Sequence, residues 1–260
     1  KFINESTGWC VGQSKVLKTT NGGENWINQS PSNTLFLRTG FFINQNTGWI
    51  AGDEDLILKT TTSGSSWIVQ NGSSAVNWHS MFFINDQTGW CAGSGGRIIK
   101  TTNAGLNWIV MNSGITQYLY TIYFVTQNTG WAAGDGGALI KTTDGGSGWF
   151  VQSTGFSYDL KEVQFTDANT GWIAAHQGLI LKSTNGGSSW NISASIGTGY
   201  IFYTLDFINS STGWAAGEPG VIYSTTNGGQ SWMPQQGGGS NILVGIDMVS
   251  SSIGYIAGFN

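Results

Sequence analysis

Short apolar runs recur along the whole chain, separated by turns rich in Gly, Asn, Ser and Thr. Many of the runs contain β-branched or aromatic residues, which are typical of strands. Glycine and asparagine supply the tight turns between them. The pattern therefore predicts an all-β protein with many short strands.

Two tryptophan markers show that the pattern repeats. The first ends a Gly-rich loop, at spacings of 41, 41, 41, 41 and 42 residues, and comprises Trp26, Trp67, Trp108, Trp149, Trp190 and Trp232. The second is Thr-Gly-Trp, with a weaker seventh copy at Tyr255, and comprises Trp9, Trp49, Trp90, Trp131, Trp172 and Trp214. Chance does not interleave two markers at such regular spacings.

Each unit contains four predicted strands, a to d. Strand a ends at Phe, strand b follows Thr-Gly, strand c resembles LILKTT, and strand d begins at the loop tryptophan. Four strands in about 40 residues is the size of a β-propeller blade. We predict one propeller domain, residues 1–260, with units at about 1–37, 38–78, 79–119, 120–160, 161–202, 203–243 and a partial 244–260.

The two ends of the chain leave the blade count open. The last unit stops after strand b at Asn260, and residues 1–4 form only the tail of a strand a. A seven-bladed ring with an incomplete last blade is the favoured interpretation. A six-bladed ring with a surplus C-terminal hairpin is the alternative.

The loop KTTNGGENW, Lys18 to Trp26, has the polar groups of a ligand loop, but its repetition favours a structural role. A side-chain oxygen can bond the amides of its own turn, Gly allows positive φ, and Trp packs on the sheet. The oxygen-bearing position is occupied by Asn21, Thr62, Asn103, Asp144, Asn185 and Asn227. Only Asp144 is a carboxylate, so no metal site is predicted.

These loops match the pattern Ser/Thr-x-Asp/Asn-x-Gly-x-x-Trp and resemble the Asp-box, or bacterial neuraminidase repeat. The pattern Phe-x-x-x-x-Thr-Gly-Trp-x-x-Gly is similar to that of photosystem II stability/assembly factor propellers, whose repeats also occur in secreted bacterial proteins. The resemblance covers essentially the whole chain. It implies a scaffold that holds a partner protein during biogenesis. It also implies an arginine-bearing basic patch, of which only Arg38 and Lys161 are present here.

The candidate binding site lies on the face opposite these loops. In a propeller the b–c and d–a loops share one face, and residues that break a repeat are candidates for function. The position eleven residues before each marker varies, and it comprises Arg38, His79, Tyr120, Lys161, Tyr203 and Val244. Such a ring could hold carboxylates or phosphates, stack and hydrogen-bond. The alternative is a set of half-exposed strand residues without a ligand.

Neighbouring positions extend this candidate face. The apolar residue before His79 is Trp78, and the b–c tips contribute Asp53, Glu54, Asp55, Arg97, Asp135, His176 and Glu218. The d–a segments contribute Tyr118, Phe156, Tyr158, Asp159 and Tyr200. Aromatic groups with sparse charges favour a protein or glycan partner over nucleic acid.

Charge and composition exclude several other partners. The net charge is −4, and the 10 Lys and Arg residues are scattered, so neither nucleic acid nor an anionic membrane is expected as a partner. No apolar run reaches the roughly 20 residues of a membrane helix. The composition favours a secreted or surface-bound bacterial protein, with the periplasm or thylakoid lumen as alternatives, and the start at Lys1 suggests a processed or partial product. The oligomeric state stays open.

Neither cysteine nor histidine suggests further chemistry. Cys10 and Cys91 occupy equivalent positions two units apart, so we expect buried thiols and no disulfide. The two histidines, His79 and His176, lack a third metal ligand and a Gly-x-Ser-x-Gly elbow. We predict no cofactor.

The chain is predicted to be non-enzymatic. Sialidase chemistry uses three arginines, whereas the sequence contains two. A two-carboxylate glycosidase is an alternative, with candidates Asp53, Asp135, Asp159, Asp206 and Glu218, but no motif pairs them. The favoured function is extracellular recognition or scaffolding of a protein or glycan. One form of this hypothesis makes the propeller part of a larger surface assembly. A photosystem-type assembly factor is the other alternative.

Overall fold

The structure, a computed structural model, describes residues 1–32, 35–71 and 76–259. Its strands form an all-β propeller, as predicted from the repeat. Asn260, where the partial last unit ends, lies outside the described residues.

Five sheets have four strands each, in chain order from the innermost strand a to the outermost strand d. The second blade consists of β4 (Leu37–Phe42), β5 (Gly48–Gly52), β6 (Leu56–Thr60) and β7 (Ile68–Asn71). The third consists of β8 (Trp78–Phe83), β9 (Gly89–Gly93), β10 (Ile98–Thr101) and β11 (Ile109–Met111). The fourth consists of β12 (Leu119–Phe124), β13 (Gly130–Gly134), β14 (Leu139–Thr142) and β15 (Phe150–Val151). The fifth consists of β16 (Leu160–Phe165), β17 (Gly171–Ala175), β18 (Leu179–Ser183) and β19 (Asn191–Ser195). The sixth consists of β20 (Ile201–Phe207), β21 (Gly213–Glu218), β22 (Ile222–Thr225) and β23 (Met233–Pro234).

The two remaining sheets are smaller. The first blade has three strands, β1 (Gly8–Gly12), β2 (Lys15–Thr19) and β3 (Ile27–Asn28), and the chain closes with the hairpin β24 (Ile242–Met248) and β25 (Gly254–Phe259). Counted as sheets of three or four strands among the described residues, the ring has six blades. This is the count of the alternative prediction, with β24–β25 as its additional hairpin, and not the favoured count of seven.

The C-terminal hairpin lies against the first blade. The Tyr255 ring stacks on the Phe2 ring with centroids 3.4 Å apart, and the Tyr255 hydroxyl donates to the Glu5 carbonyl at 2.6 Å. Asp247 accepts a hydrogen bond from the Phe2 amide. The ends of the chain therefore meet through side-chain contacts.

The hydrophobic core lies between neighbouring blades. Five of the six strand-b tryptophans stack on the strand-a Phe of the next blade; for Trp131 and Phe165 the ring centroids are 3.5 Å apart and the planes 7° apart. The position that would meet the sixth, Trp214, is occupied by Met248. The loop tryptophan of that blade, Trp190, meets the same Phe edge-on at 5.8 Å. The Gly of Thr-Gly-Trp is required by this packing, because a Cβ at Gly130 would lie 2.5 Å from the Phe124 ring.

Both cysteines are free thiols. Cys91 is buried in the core, as predicted from its inward position. Cys10 is only half-buried and lines the central cavity, because the first blade has no full strand a to cover it.

Hydrogen bonds show which loops share a face. The d–a and b–c loops meet where the Asp135 amide donates to the Tyr118 carbonyl at 2.9 Å and the His176 amide to the Asp159 carbonyl at 3.0 Å. The c–d loops instead meet the a–b turns, as in the bond from the Gly145 amide to the Asn128 carbonyl at 2.9 Å. The assignment of the two faces is thus correct.

Candidate functional site

The polar groups of the c–d loops, which we call the Asp-box loops, bond to the protein itself. In the fourth blade the Gly148 amide donates to Asp144 Oδ1 at 2.9 Å, and the Gly146 amide donates to Thr142 Oγ1 at 2.9 Å. Bonds equivalent to the first are accepted by Asn21, Thr62, Asn103, Asn185 and Asn227. These loops have the geometry of internal turns.

The strand-c lysines also bond within the protein, to the neighbouring blade. The sequence analysis did not predict these contacts. Lys100 Nζ lies 5.3 Å from the centre of the Trp90 ring and donates to the Gly145 carbonyl of the next blade at 2.9 Å. Lys141 bonds to the Gly186 carbonyl in the same way at 2.8 Å. The signal was available, because Lys recurs at this position in five of the six strands c: Lys18, Lys59, Lys100, Lys141 and Lys182.

A cavity of about 810 Å³ lies at the centre of the ring, between the innermost strands. The structure brings the whole predicted ring together, because the cavity is lined by Arg38, His79, Tyr120, Lys161, Tyr203 and Val244. It also extends towards the junction between the C-terminal hairpin and the first blade. One concave surface thus carries all six ring positions, whereas the predicted b–c and d–a residues, such as Asp135 and Tyr118, are not part of its lining.

Arg38 is exposed at the mouth of this cavity and is engaged by Asp53 from the b–c tip. The guanidinium makes two hydrogen bonds to the carboxylate, the longer one at 3.2 Å from Nη2 to Oδ2. The guanidinium carbon also lies 5.0 Å from the centre of the Phe36 ring. Arg38 is therefore held by a bidentate ion pair.

His79 forms the centre of an aromatic cluster. Its ring stacks on Tyr118 at 6.1 Å and meets Tyr120 edge-on at 5.8 Å. Burial and the neighbouring cations, Arg38 foremost, lower the pKa of His79 to about 4. The imidazole is accordingly neutral near pH 7 and acts as an aromatic, hydrogen-bonding surface.

Lys161 lies between a ring and a carboxylate. Its Nζ is 4.1 Å from the centre of the Tyr120 ring and 3.0 Å from Asp159 Oδ2. Burial and the carboxylates of Asp159 and Asp135 raise the pKa of Tyr120 to about 12, so its hydroxyl stays protonated. The Lys161 ammonium and the Tyr120 ring thus contact each other in the lining of the cavity.

Asp159 links three candidate residues. Its Oδ2 lies 3.0 Å from Lys161 Nζ and 3.7 Å from His176 Nε2, and Asp135 is close enough to influence its pKa. Burial raises the pKa of Asp159, but the Gly136 amide and the Lys161 ammonium outweigh burial and hold it below its ordinary value. The hydrogen bond to Asp159 raises the pKa of Asp135 in turn.

The remaining ring positions differ in character. The Tyr203 hydroxyl donates to Glu218 Oε2 at 3.2 Å, and burial followed by this bond raises the pKa of Tyr203. Val244 is exposed and apolar. The ring is therefore chemically asymmetric around the channel.

Trp78 does not belong to the binding surface, which corrects its inclusion among the candidate residues. The side chain is fully buried, and its Nε1 donates to Asp55 Oδ1 at 2.8 Å. Strand side chains alternate between faces, so the neighbour of channel-facing His79 points into the blade.

Two carboxylates on strands a, Glu162 and Asp206, were not predicted to belong together. Glu162 Oε2 accepts from the Leu205 amide at 2.8 Å, and Asp206 Oδ2 accepts from the Met248 amide at 2.6 Å. Burial raises the pKa of Glu162 to about 7 and also raises the pKa of Asp206. Their strand-a positions were visible in the sequence, but the bond to the next blade was not.

Comparison with known proteins assigns the family. The family model described as Photosynthesis system II assembly factor YCF48 matches residues 1–74, 103–193 and 146–237, more than half of the chain. The chain belongs to this family. This confirms the resemblance seen in the repeat, and it supports an assembly factor better than an extracellular scaffold.

Solved structures of YCF48 proteins and of a GH74 enzyme share the fold. A structure described as "YCF48 bound to D1 peptide" is 21% identical, with a TM-score of 0.82 over 99% of this chain and 88% of that chain. YCF48 from Cyanidioschyzon merolae is 19% identical, with a TM-score of 0.77 over 100% of this chain and 91% of that one. The Niastella koreensis GH74 enzyme is 16% identical, with a TM-score of 0.72 over 88% of this chain and 43% of that one. At these identities the likeness shows the fold alone.

The remaining predictions concern a glycan partner, the cellular location and membrane helices. No curated protein sequence matches this chain. Nothing found supports a glycan partner or a bacterial cell-surface location. Across the described residues, no helix has the length and apolar character of a membrane span.

Proposed function

We propose that this chain is a non-enzymatic assembly factor that holds an extended segment of a partner protein at the mouth of the central cavity. The observation that carries the proposal is the convergence of Arg38, His79, Tyr120, Lys161 and Tyr203 on one cavity. Rings and fixed charges on a rigid scaffold suit a peptide, because they offer stacking and hydrogen bonds without a reactive centre.

The family supports a protein partner and not a glycan. One solved relative is described as "YCF48 bound to D1 peptide", and we extend that kind of ligand to this chain. Among the compartments consistent with the composition, the proposal favours the thylakoid lumen over the bacterial surface. The other predicted face residues, among them Tyr118, Asp135, His176 and Glu218, form the border of the site.

Binding of a labelled synthetic D1 peptide, measured by fluorescence anisotropy, tests the proposal. The double variant Arg38→Ala, Tyr120→Ala should lose binding while its thermal unfolding midpoint stays close to that of the parent. Arg97→Ala is the matched control, because it removes the other guanidinium of the chain, from the same face but outside the cavity lining. Undiminished binding by the double variant would show that the site is misplaced.

A glycosidase is the second candidate, suggested by the shared fold with a GH74 enzyme. The Asp159 carboxylate is already held by the Lys161 ammonium, with 3.0 Å between Oδ2 and Nζ. Asp53 and Glu218 are engaged by Arg38 and Tyr203. Turnover on a panel of glycans, abolished by Asp159→Asn, would establish the enzyme instead.

A further inference from the structure

The ring of innermost strands is open at one place. From β4 round to β24, the strands a of neighbouring blades pack side by side along the channel. Between β24 and β4 the described residues make no comparable contact, because the sheet of the first blade starts at β1, which is a strand b. A space one strand wide, which we call the slot, therefore lies between β24 and β4 with β1 at its back. It belongs to the central cavity, whose lining includes Cys10, Val11, Thr39, Gly40, Gly245 and Ile246.

The edge of β1 that faces the slot has unused backbone groups. The Trp9 amide donates to the Lys1 carbonyl at 2.8 Å, and the pairing on this side ends there. On the other side Val11 lies opposite Val16, whose own amide donates outward to Ser30 Oγ at 3.0 Å. Backbone groups alternate in direction along an antiparallel pair, so the Val11 amide and carbonyl point into the slot. They have no hydrogen-bond partner in the part of the chain that the structure describes.

The burial of β1 agrees with an open edge. In β5, β9, β13 and β17 all five residues are buried, whereas Cys10, Val11 and Gly12 of β1 are half-buried. An open sheet edge is a template for pairing with another chain. This edge lies inside the ring and faces the channel, so a folded second copy does not reach it. A single extended segment does.

The other blades show which side chain suits the place opposite Val11. In them the strand-a residue at this place carries a side-chain oxygen, and it is Thr39, Ser80, Thr121, Glu162 or Thr204. The oxygen accepts from an amide of the next blade, as Ser80 Oγ does from Ile122 and Thr204 Oγ1 from Ile246, both at 3.1 Å. Beside the slot, the corresponding amide is that of Gly40.

The following residue of strand a is apolar and buried in most blades. It is Met81, Ile122, Val163 or Leu205, with Gly40 as the exception. Met81 lies opposite Cys91, and Cys10 is the residue of the first blade equivalent to Cys91. An apolar side chain at this place in the slot would therefore cover the Cys10 thiol.

We propose that the bound segment of the partner protein enters the slot as an extended strand antiparallel to β1, with Ser or Thr opposite Val11 and an aliphatic residue opposite Cys10. The inference rests on the proposed function, since it describes how that segment is held. The segment's backbone bonds to the Val11 amide and carbonyl, and its hydroxyl accepts from the Gly40 amide. Addition of a strand to an exposed sheet edge is an established mode of peptide recognition.

Peptides that contain Leu-Tyr-Thr-Ile, the order of residues 119–122, test the backbone pairing by fluorescence anisotropy. A methyl group on the Thr amide removes the bond to the Val11 carbonyl and should weaken binding at least about tenfold. A methyl group on the Ile amide is the matched control. That amide points towards Gly245, beside which there is open space, so binding should change less than about threefold. Equal weakening by the two methyl groups would overturn the strand pairing.

Cys10 reports whether the slot is occupied, and Cys91 is an internal control. Cys10 is half-buried beside the slot, whereas Cys91 is fully buried. Labelling of the folded protein with a maleimide, read by mass spectrometry, should modify Cys10 and spare Cys91. Saturating Leu-Tyr-Thr-Ile peptide should slow the labelling of Cys10 at least about fivefold, and the D1 peptide should do the same. A Cys10 that stayed unlabelled in the free protein would show a closed slot and overturn the proposal.

The outcomes separate this inference from the proposed function. If the D1 peptide bound while Cys10 was labelled at the free rate, the strand pairing would be overturned and the cavity would stand as the site. Protection of Cys10 by the Leu-Tyr-Thr-Ile peptide, without any binding of the D1 peptide, would support the slot and overturn the D1 segment as the ligand. If neither peptide bound, both proposals would fall.

Discussion

The two faces of the ring are built by the same strands but use polar side chains in opposite ways. On the Asp-box face, Thr142, Asp144 and Lys100 bond to backbone groups of their own or the neighbouring blade. On the cavity face, Arg38 and Tyr203 bond to other side chains. Backbone partners recur in every blade, so the first set repeats, whereas the second set can vary without loss of the fold.

The contrast between the faces teaches that repetition in this chain marks structure and variation marks recognition. Substitutions in repeated positions should therefore lower the free energy of unfolding. Substitutions in the varied ring should alter binding with little effect on stability. Both expectations can be tested one residue at a time.

The largest effect is expected at the stack between blades. Trp131→Ala removes a fully buried ring that lies 3.5 Å from the Phe165 ring, and should lower the free energy of unfolding by about 3–5 kcal/mol. Urea denaturation measures this loss. A loss below about 1 kcal/mol would show that the interblade stack does not dominate stability.

A smaller loss is expected inside an Asp-box loop. Thr142→Val keeps the shape of the side chain but removes the hydroxyl that accepts from the Gly146 amide at 2.9 Å. Leaving this buried amide without its acceptor should cost about 1–3 kcal/mol. Thr126→Val is a useful control, since its hydroxyl bonds to exposed amides of an a–b turn. Equal losses in the two variants would contradict the special role of the loop.

Glu162 should give the channel a pH-dependent stability. Its pKa in the folded protein, about 7, is raised above the ordinary value of 4.5, so its contribution is fully present below about pH 4.5 and is lost as the pH rises through 7. As the pH rises across this range, the free energy of unfolding should therefore fall by roughly 1–2 kcal/mol more than it does in the Glu162→Gln variant. This figure allows for screening by water in the channel. Chemical denaturation at several pH values measures the difference. Parallel pH profiles of the two proteins would rule out this titration.

The smallest effect on stability is expected at the varied ring. Arg38→Ala breaks an exposed ion pair with Asp53 and should change the free energy of unfolding by less than about 1 kcal/mol. Thermal denaturation of this variant and of Arg97→Ala should give similar midpoints. A large drop for Arg38→Ala alone would place this residue among the structural positions, and the contrast between the faces would weaken.

Much of the fold was predictable because each local sequence signal recurs in successive repeat units. Thr-Gly-Trp and the Asp-box loops predicted the blades, the two faces and the ring position of Arg38. Trp78 was misassigned because it is adjacent in sequence to the variable position His79. The side chains of these two residues lie on opposite faces of the strand. The blade count depended on how the last hairpin is classified, which spacing does not decide.

The hydrogen-bond and ion-pair partners of the channel residues could not be predicted from the sequence, because they come from other loops and blades. Asp53 is fifteen residues from Arg38, and Glu162 bonds to the Leu205 amide of the next blade. Such bonds depend on how the blades pack side by side, and no local pattern records that packing.

By itself, the sequence determined the repeat, the all-β class and the position of the varied ring, because each depends on periodic local signals. The tertiary structure alone decided which charges neutralise one another at the cavity, such as Arg38 with Asp53 and Lys161 with Asp159. It also decided that the two ends meet through Phe2 and Tyr255. These are long-range contacts, and their geometry exists only once the blades have closed around the channel.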